Sequence, residues 1–209
     1  MKHYYKYILI TLLAVMALPL FVLADTREEL LGRILIQVEK NGEAWYVNPD
    51  NGLRYFMGRP YDAFQLMRGF GLGITNENLN KIPIGLIAQS GDDTDKDGLV
   101  DLLEEAIKSN KLKIDSDGDG YNDKEEVLNG YNPNGAGKFP LMPVDQDLIN
   151  RLKGNILLQV EDQGQAWYVS PVNGQRYFLG RPVHAFEIMR GLGLGITDKD
   201  LANIEAGSL

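Results

Sequence analysis

Apolar and polar positions along this chain follow first a two-residue and then a helical period, and the whole pattern occurs twice. Ile34–Glu39 is dense in branched apolar side chains and reads as a strand. Glu43–Asn48 reads as a second strand, with Trp45 and Val47 on one face and Ala44 and Tyr46 on the other. Leu53–Met57 reads as a third. Between them, Lys40-Asn41-Gly42-Glu43 supplies the Asn-Gly of a tight hairpin, and Pro49-Asp50-Asn51-Gly52 supplies a second turn. From Pro60 the period lengthens. Ala63, Phe64, Met67 and Phe70 fall at helical spacing, Pro60 suits the first helical position, and Gly71 ends the run. The Gly-rich stretch Gly69–Gly73 reads as helix cap and turn, and Thr75 caps a short final helix holding Leu79 and Ile82. A three-stranded antiparallel meander with helices over one face is expected.

Gly32–Gly85 recurs without a gap 122 residues later as Gly154–Gly207, with 33 of 54 positions identical. Ala44-Trp45-Tyr46-Val47 returns as Ala166-Trp167-Tyr168-Val169, and Arg54-Tyr55-Phe56 as Arg176-Tyr177-Phe178. Thr197 and Asp200 form a fuller capping box in the second copy, and Asp145–Lys153 reads as its lead-in helix. Two copies are fewer than a solenoid needs. The expected class is therefore α+β, with one module over residues 25–87 and another over 147–209. A unit of this size buries only a modest core, so the copies are expected to pack on each other or on the segment between them. That segment divides into an acidic stretch, 88–132, and a Gly/Pro-rich linker, 133–146.

The acidic stretch carries the most specific pattern in the chain. Asp93-Thr94-Asp95-Lys96-Asp97-Gly98 opens one twelve-residue loop that closes at Asp101 and Glu104. Asp115-Ser116-Asp117-Gly118-Asp119-Gly120 opens another that closes at Asp123 and Glu126. Oxygen side chains thus stand at positions 1, 3, 5, 9 and 12 of both, with Gly at 6. A hard cation needs that arrangement, because the chain must wrap tightly and then return a carboxylate from a helix. The loops resemble EF-hand calcium loops, and the pair is especially similar to the bacterial thrombospondin type 3-like repeats of secreted proteins, which bind calcium and act as spacers. The resemblance implies two Ca2+ ions. It offers Asp93, Asp95, Asp97, Asp101, Glu104 and the Leu99 carbonyl for the first ion. For the second it offers Asp115, Asp117, Asp119, Asp123, Glu126 and the Tyr121 carbonyl. The flanking modules are assigned to no family.

Spacing separates a sensor from a spacer. The loops start 22 residues apart and leave ten between them, too few for an exiting helix, a linker and an entering helix. Leu99–Asn110 is expected as one helix, and the stretch as a calcium-stiffened spacer holding two modules at a fixed separation.

Charge sharpens this picture. Lys2, Lys6 and the apolar run Ile8–Ala24 form a secretory leader pattern, 1–24, with cleavage expected after Ala24; an uncleaved leader is the only membrane attachment the sequence suggests. Beyond it stand 19 basic and 29 acidic residues, a net of −10, of which −8 falls within Asp92–Glu126 (5 basic, 13 acidic). Such a chain has no basic footprint for nucleic acid. Without cysteine, a secreted protein relies on its core or on metals. His184, replaced by Asp62 in the first copy, is expected on an exposed helix face, and no nucleophile–base pattern, phosphate loop or zinc spacing points to an enzyme. One further ligand face is suggested. Tyr46, Tyr55 and Arg54, with Tyr168, Tyr177 and Arg176, exceed what one buried face requires and can stack on a cell-wall glycan. The expected protein is a secreted or envelope-associated calcium-binding structural or adhesive protein. Its partners are calcium and a cell-wall glycan or another envelope protein.

Overall fold

A computed structural model describes residues 27–135, 144–162 and 164–208. The leader pattern 1–24 and most of the 133–146 linker lie outside the described residues. In the first copy the alternation produces β1 (Ile34–Gln37), β2 (Ala44–Val47) and β3 (Arg54–Phe56). Ile34 opposes Tyr46, which opposes Tyr55, so these three share one face, while Leu35, Trp45 and Phe56 share the other. The Asn48 side chain accepts the Asp50 and Asn51 amides at 2.8 and 3.2 Å, folding the expected turn at Pro49–Gly52. The first connection is longer than expected. Gln37 N donates to Glu43 O at 2.9 Å and closes a loop over residues 38–42, in place of a two-residue Asn-Gly turn. Helix α1 (Pro60–Phe70) starts on its proline and stops at Gly71.

Leu72–Ile74 is not a turn but a strand, β4, followed by α2 (Asn76–Leu79) under its Thr75 cap. The central segment holds α3 (Asp101–Ile107), α4 (Asp123–Asn129) and α5 (Gln146–Leu152). The helix expected over Leu99–Asn110 is shortened because Lys108 takes a left-handed conformation (φ +68°) and ends it. The second copy repeats the order with β5 (Ile156–Gln159), β6 (Ala166–Val169), β7 (Arg176–Phe178), α6 (Pro182–Leu192), β8 (Leu194–Ile196) and α7 (Asp198–Ala202).

Each sheet takes its fourth strand from the other copy. The strand orders are β3-β2-β1-β8 and β4-β5-β6-β7, with β8 parallel to β1 and β4 parallel to β5. A three-residue strand centred on Gly73 or Gly195 cannot satisfy its own backbone, and the open edge of the other copy supplies the partners. The exchanged arm then crosses the sheet to its far edge. Arg54 N donates to Glu205 O and Gly207 N to Arg54 O, both at 2.9 Å. In the other sheet, Arg176 N donates to Pro83 O and Gly85 N to Arg176 O, both at 2.8 Å. The two copies therefore clasp each other. They are not bodies held apart by the segment between them, as a spacer would require.

The tyrosine faces of the two sheets meet in a shared core of Tyr46, Tyr55, Tyr168 and Tyr177 with Ile34, Ile156, Leu66 and Ile188. At its centre Tyr46 Oη donates to Gly154 O at 2.8 Å and Tyr168 Oη to Gly32 O at 2.7 Å. Gly32 (φ +71°) and Gly154 (φ +80°) approach so closely that a Cβ on either would collide with the other's backbone. The outer faces differ. In the first sheet, Leu35, Val47 and Trp45 are covered by the exchanged arm, through Ile196, Leu201 and Ile204, and by Leu30 and Leu31. In the second, Leu157, Trp167, Val169 and Phe178 lie under the exchanged arm and also under Leu99, Leu103, Ala106, Val127, Leu148 and Ile149. The acidic segment is a second layer on one sheet only.

Candidate metal centre

The two twelve-residue loops fold alike, residue for residue. Asp93 accepts the amides of Lys96 and Gly98 at 2.7 and 3.1 Å, and Asp115 those of Gly118 and Gly120 at 2.7 and 2.8 Å. Asp95 and Asp117 accept the amides of Asp97 and Asp119, each at 3.1 Å. Asp97 and Asp119 then accept those of Leu99 and Tyr121 at 2.6 and 3.0 Å, which places the residue at position 7 at the turn into the helix. Gly98 (φ +95°) and Gly120 (φ +96°) take a conformation that side chains rarely adopt, which accounts for glycine at position 6 of both loops.

This wrapping brings carboxylates together. Asp93, Asp95 and Asp97 present oxygens within 4.8 Å of one another, and so do Asp115, Asp117 and Asp119. The position-12 glutamates come back from α3 and α4 and are fully enclosed, Glu104 at 0% and Glu126 at 2% exposure. Asp95 Oδ2, Asp117 Oδ2, Glu104 Oε2 and both Glu126 carboxylate oxygens are buried without a hydrogen-bond partner. A buried charged oxygen left unpaired is costly, and its equivalents lie at positions 3 and 12 of both loops. Burial, followed by the charges of Asp95 and Asp97, pushes the Glu104 carboxyl up to about 8. Burial, followed by Asp117 and Asp119, pushes Glu126 up to about 7. Apart from a long hydrogen bond from Ser109 to Glu104 at 3.4 Å, the oxygens of these two glutamates have no donors among the described residues, whereas a cation inside each loop would compensate their charge. The acidic clusters can hold metal ions, and their all-oxygen donor sets suit a hard cation.

Position 9 bonds within its own loop. Asp101 accepts the Thr94 amide and hydroxyl, both at 2.8 Å, and Asp123 accepts the Ser116 amide and hydroxyl at 2.8 and 2.6 Å. Neither joins the carboxylate cluster of its own loop. Each braces position 2 instead, and the Thr94 hydroxyl bond holds the Asp101 carboxyl below the usual range. A hydroxyl at position 2 of both loops was the sequence signal for this role. Asp123 is instead grouped with Asp97 and Glu104 of the first loop, all three within 4.8 Å. Asp97 also accepts the Lys124 amide at 3.2 Å, so the first loop rests on the start of α4.

The aromatic face proposed for glycans is not a surface. Tyr46, Tyr55, Tyr168 and Tyr177 are buried in the shared core, because each copy covers the other's tyrosines. Arg54 and Arg176 stack on Trp45 and Trp167 on the opposite faces of their sheets, each at 4.6 Å, and Arg176 is only 3% exposed. His184 is likewise buried, not exposed. Its Nδ1 accepts the Arg181 amide at 3.5 Å, and the start of the acidic segment crosses it, with Ser90 N donating to Glu187 at 2.9 Å. The equivalent Asp62 pairs with Arg59 at 3.2 Å. Among the described residues, the exposed aromatic rings are Tyr61, Phe64 and Phe186, and Arg68 and Arg190 lie over the two phenylalanines at 5.8 and 5.6 Å. Among the described residues no helix is long and apolar enough to cross a membrane. Comparison with protein-family models, curated proteins and solved structures finds no match.

Proposed function

We propose that this chain is a secreted or envelope-associated structural protein whose acidic segment binds two calcium ions and thereby sets as a strap across the second sheet. The observation that carries this reading is the five carboxylate oxygens buried without partners at positions 3 and 12 of two loops that otherwise fold identically. Calcium is favoured over magnesium. Each loop offers several carboxylates from a flexible turn, and magnesium keeps its waters where calcium takes six to eight oxygen ligands in flexible geometry. Export by the expected leader would bring the chain to high free calcium, and extracellular modules of this kind bind at about 10⁻⁴ to 10⁻³ M.

The role of the ion in this reading differs from that of a spacer. Leu99, Leu103, Ala106 and Val127 belong to or flank the two loops and pack on Trp167 and Phe178. Calcium therefore orders a covering layer and leaves the clasp of the two copies to the shared core. No catalytic role is assigned, and the tyrosines buried between the copies offer a glycan no stacking platform.

Calorimetric titration of the full chain with calcium chloride tests the reading. Two ions per chain are expected, and an Asp95→Asn/Asp117→Asn double variant is expected to bind neither. Heats indistinguishable from dilution for the parent chain would remove the reading.

A further inference from the structure

We propose that Asp123, although it belongs to the second loop, is a ligand of the first loop's ion, so that the first site is complete only when the second loop is folded. The inference rests on the calcium reading above and assigns it a direction.

Asp97, Glu104 and Asp123 offer oxygens that all lie within 4.8 Å of one another, and none of the three is more than 8% exposed. Glu104 is fully buried, and its Oε2 has no hydrogen-bond partner. Asp101 and Asp123 are braced alike, each accepting from the position-2 residue of its own loop, but Asp123 and not Asp101 is grouped with Asp97 and Glu104. The position-9 carboxylate of the second loop thus stands beside positions 5 and 12 of the first. Three enclosed carboxylates at this separation repel strongly unless a cation lies among them.

The sharing runs one way. The cluster of the second loop contains Asp115, Asp117 and Asp119 and nothing from the first. Asp123 is positioned by contacts that close the second loop, namely its hydrogen bonds from Ser116 and the donation of its amide to Ile114 O at 3.0 Å. Folding of the second loop around its ion fixes Asp123, and Asp123 then completes the first site. The second ion is expected to bind first, and its presence to strengthen the other site.

The test is a calcium chloride titration of the ¹⁵N-labelled full chain, followed at the amides of Gly98 and Gly120. Each donates to the first aspartate of its own loop and so reports one site. In the parent chain both amides are expected to shift, Gly120 at the lower calcium concentration. Glu126→Gln, which weakens the second site directly, should raise the Gly98 midpoint tenfold or more, whereas Glu104→Gln should leave the Gly120 midpoint within twofold. Asp123→Asn should raise the Gly98 midpoint about tenfold and the Gly120 midpoint less. Ser116→Ala, which removes the brace but keeps the carboxylate, should move Gly120 at least as much as Gly98. Amides of the shared core, unchanged between variants, confirm that each is folded. A Gly98 midpoint unmoved by Asp123→Asn and Glu126→Gln, in a chain that still binds two ions, would overturn the shared ligand alone. Two glycines silent to calcium in the parent chain would remove the calcium reading and this inference with it.

Discussion

The strand Ala-Trp-Tyr-Val occurs twice, and its two tryptophans end in different surroundings. Trp167 is fully buried and donates its indole N–H to Gln159 Oε1 at 3.2 Å. Trp45 is half-buried, and its indole nitrogen finds no partner. Phe178 and Arg176 are buried, while Phe56 and Arg54 are half-exposed. The strands, their register and the exchanged arm are the same in both sheets. What differs is the layer formed by α3, α4 and α5, which only the second sheet has. Equal sequence therefore does not mean equal burial, and the asymmetry comes from the segment that carries the two loops.

The largest effect expected from this difference is on stability. Trp167→Ala should cost about 3–5 kcal/mol in the presence of calcium, the usual range for emptying a large buried site. Trp45→Ala should cost less than half as much. Urea titrations of both variants measure the contrast, and equal costs would mean that the covering layer adds no packing. Next in size is the response to chelation. In a Trp45→Phe background, removing calcium should shift Trp167 emission to longer wavelength as its cover loosens. In a Trp167→Phe background the remaining Trp45 should scarcely respond.

The shared core should behave in the opposite way, because the pseudo-symmetry is intact there. Tyr46→Phe and Tyr168→Phe each remove one buried hydrogen bond to a glycine carbonyl. Each should cost about 1 kcal/mol, equally and with or without calcium. A cost that depends on calcium for one and not the other would show that the layer reaches the inner faces.

Much of the local fold was legible in the sequence, and the failures have physical reasons. The alternation correctly set Trp45 and Phe56 against Tyr46 and Tyr55, and the proline and glycine at the ends of α1 marked its limits. β4 and β8 left no signal, because three residues around a glycine have no period to read. The exchange itself was hidden for a further reason. With 33 of 54 positions identical, either copy presents nearly the same edge to an arm, and local sequence cannot choose between them. The same hidden contact turned an apparent ligand face into a core. In the loops, positions 1, 3 and 5 come together as their spacing in a wrapped chain dictates, and the position-12 glutamates are buried beside them. Position 9 carries a second role that spacing alone does not show, because Thr94 and Ser116 bond to it from within the loop.

The smallest expected effect concerns pH. Folding raises the Glu104 and Glu126 carboxyls to about 8 and about 7 from the ordinary 4.5. The ion-free fold thus binds protons more tightly than the unfolded chain, and its stability falls as pH rises from about 4.5 to about 8. A cation reverses that penalty by displacing those protons. Calcium affinity should therefore weaken as pH drops from 8 to 6, with proton release on binding near pH 7. Calorimetry in buffers of different ionisation enthalpy measures the release, and the effect should be lost in a Glu104→Gln/Glu126→Gln chain.

The central claim, that calcium sets one covering layer on an otherwise symmetric clasp, is tested most directly by amide hydrogen exchange on the full chain with calcium and with a chelator. The expected result is a loss of protection in Asp101–Ile107 and Asp123–Asn129 on chelation. The paired strands β1 with β8 and β4 with β5 should remain protected. Identical exchange in the two conditions, or collapse of the exchanged strands together with the layer, would contradict it.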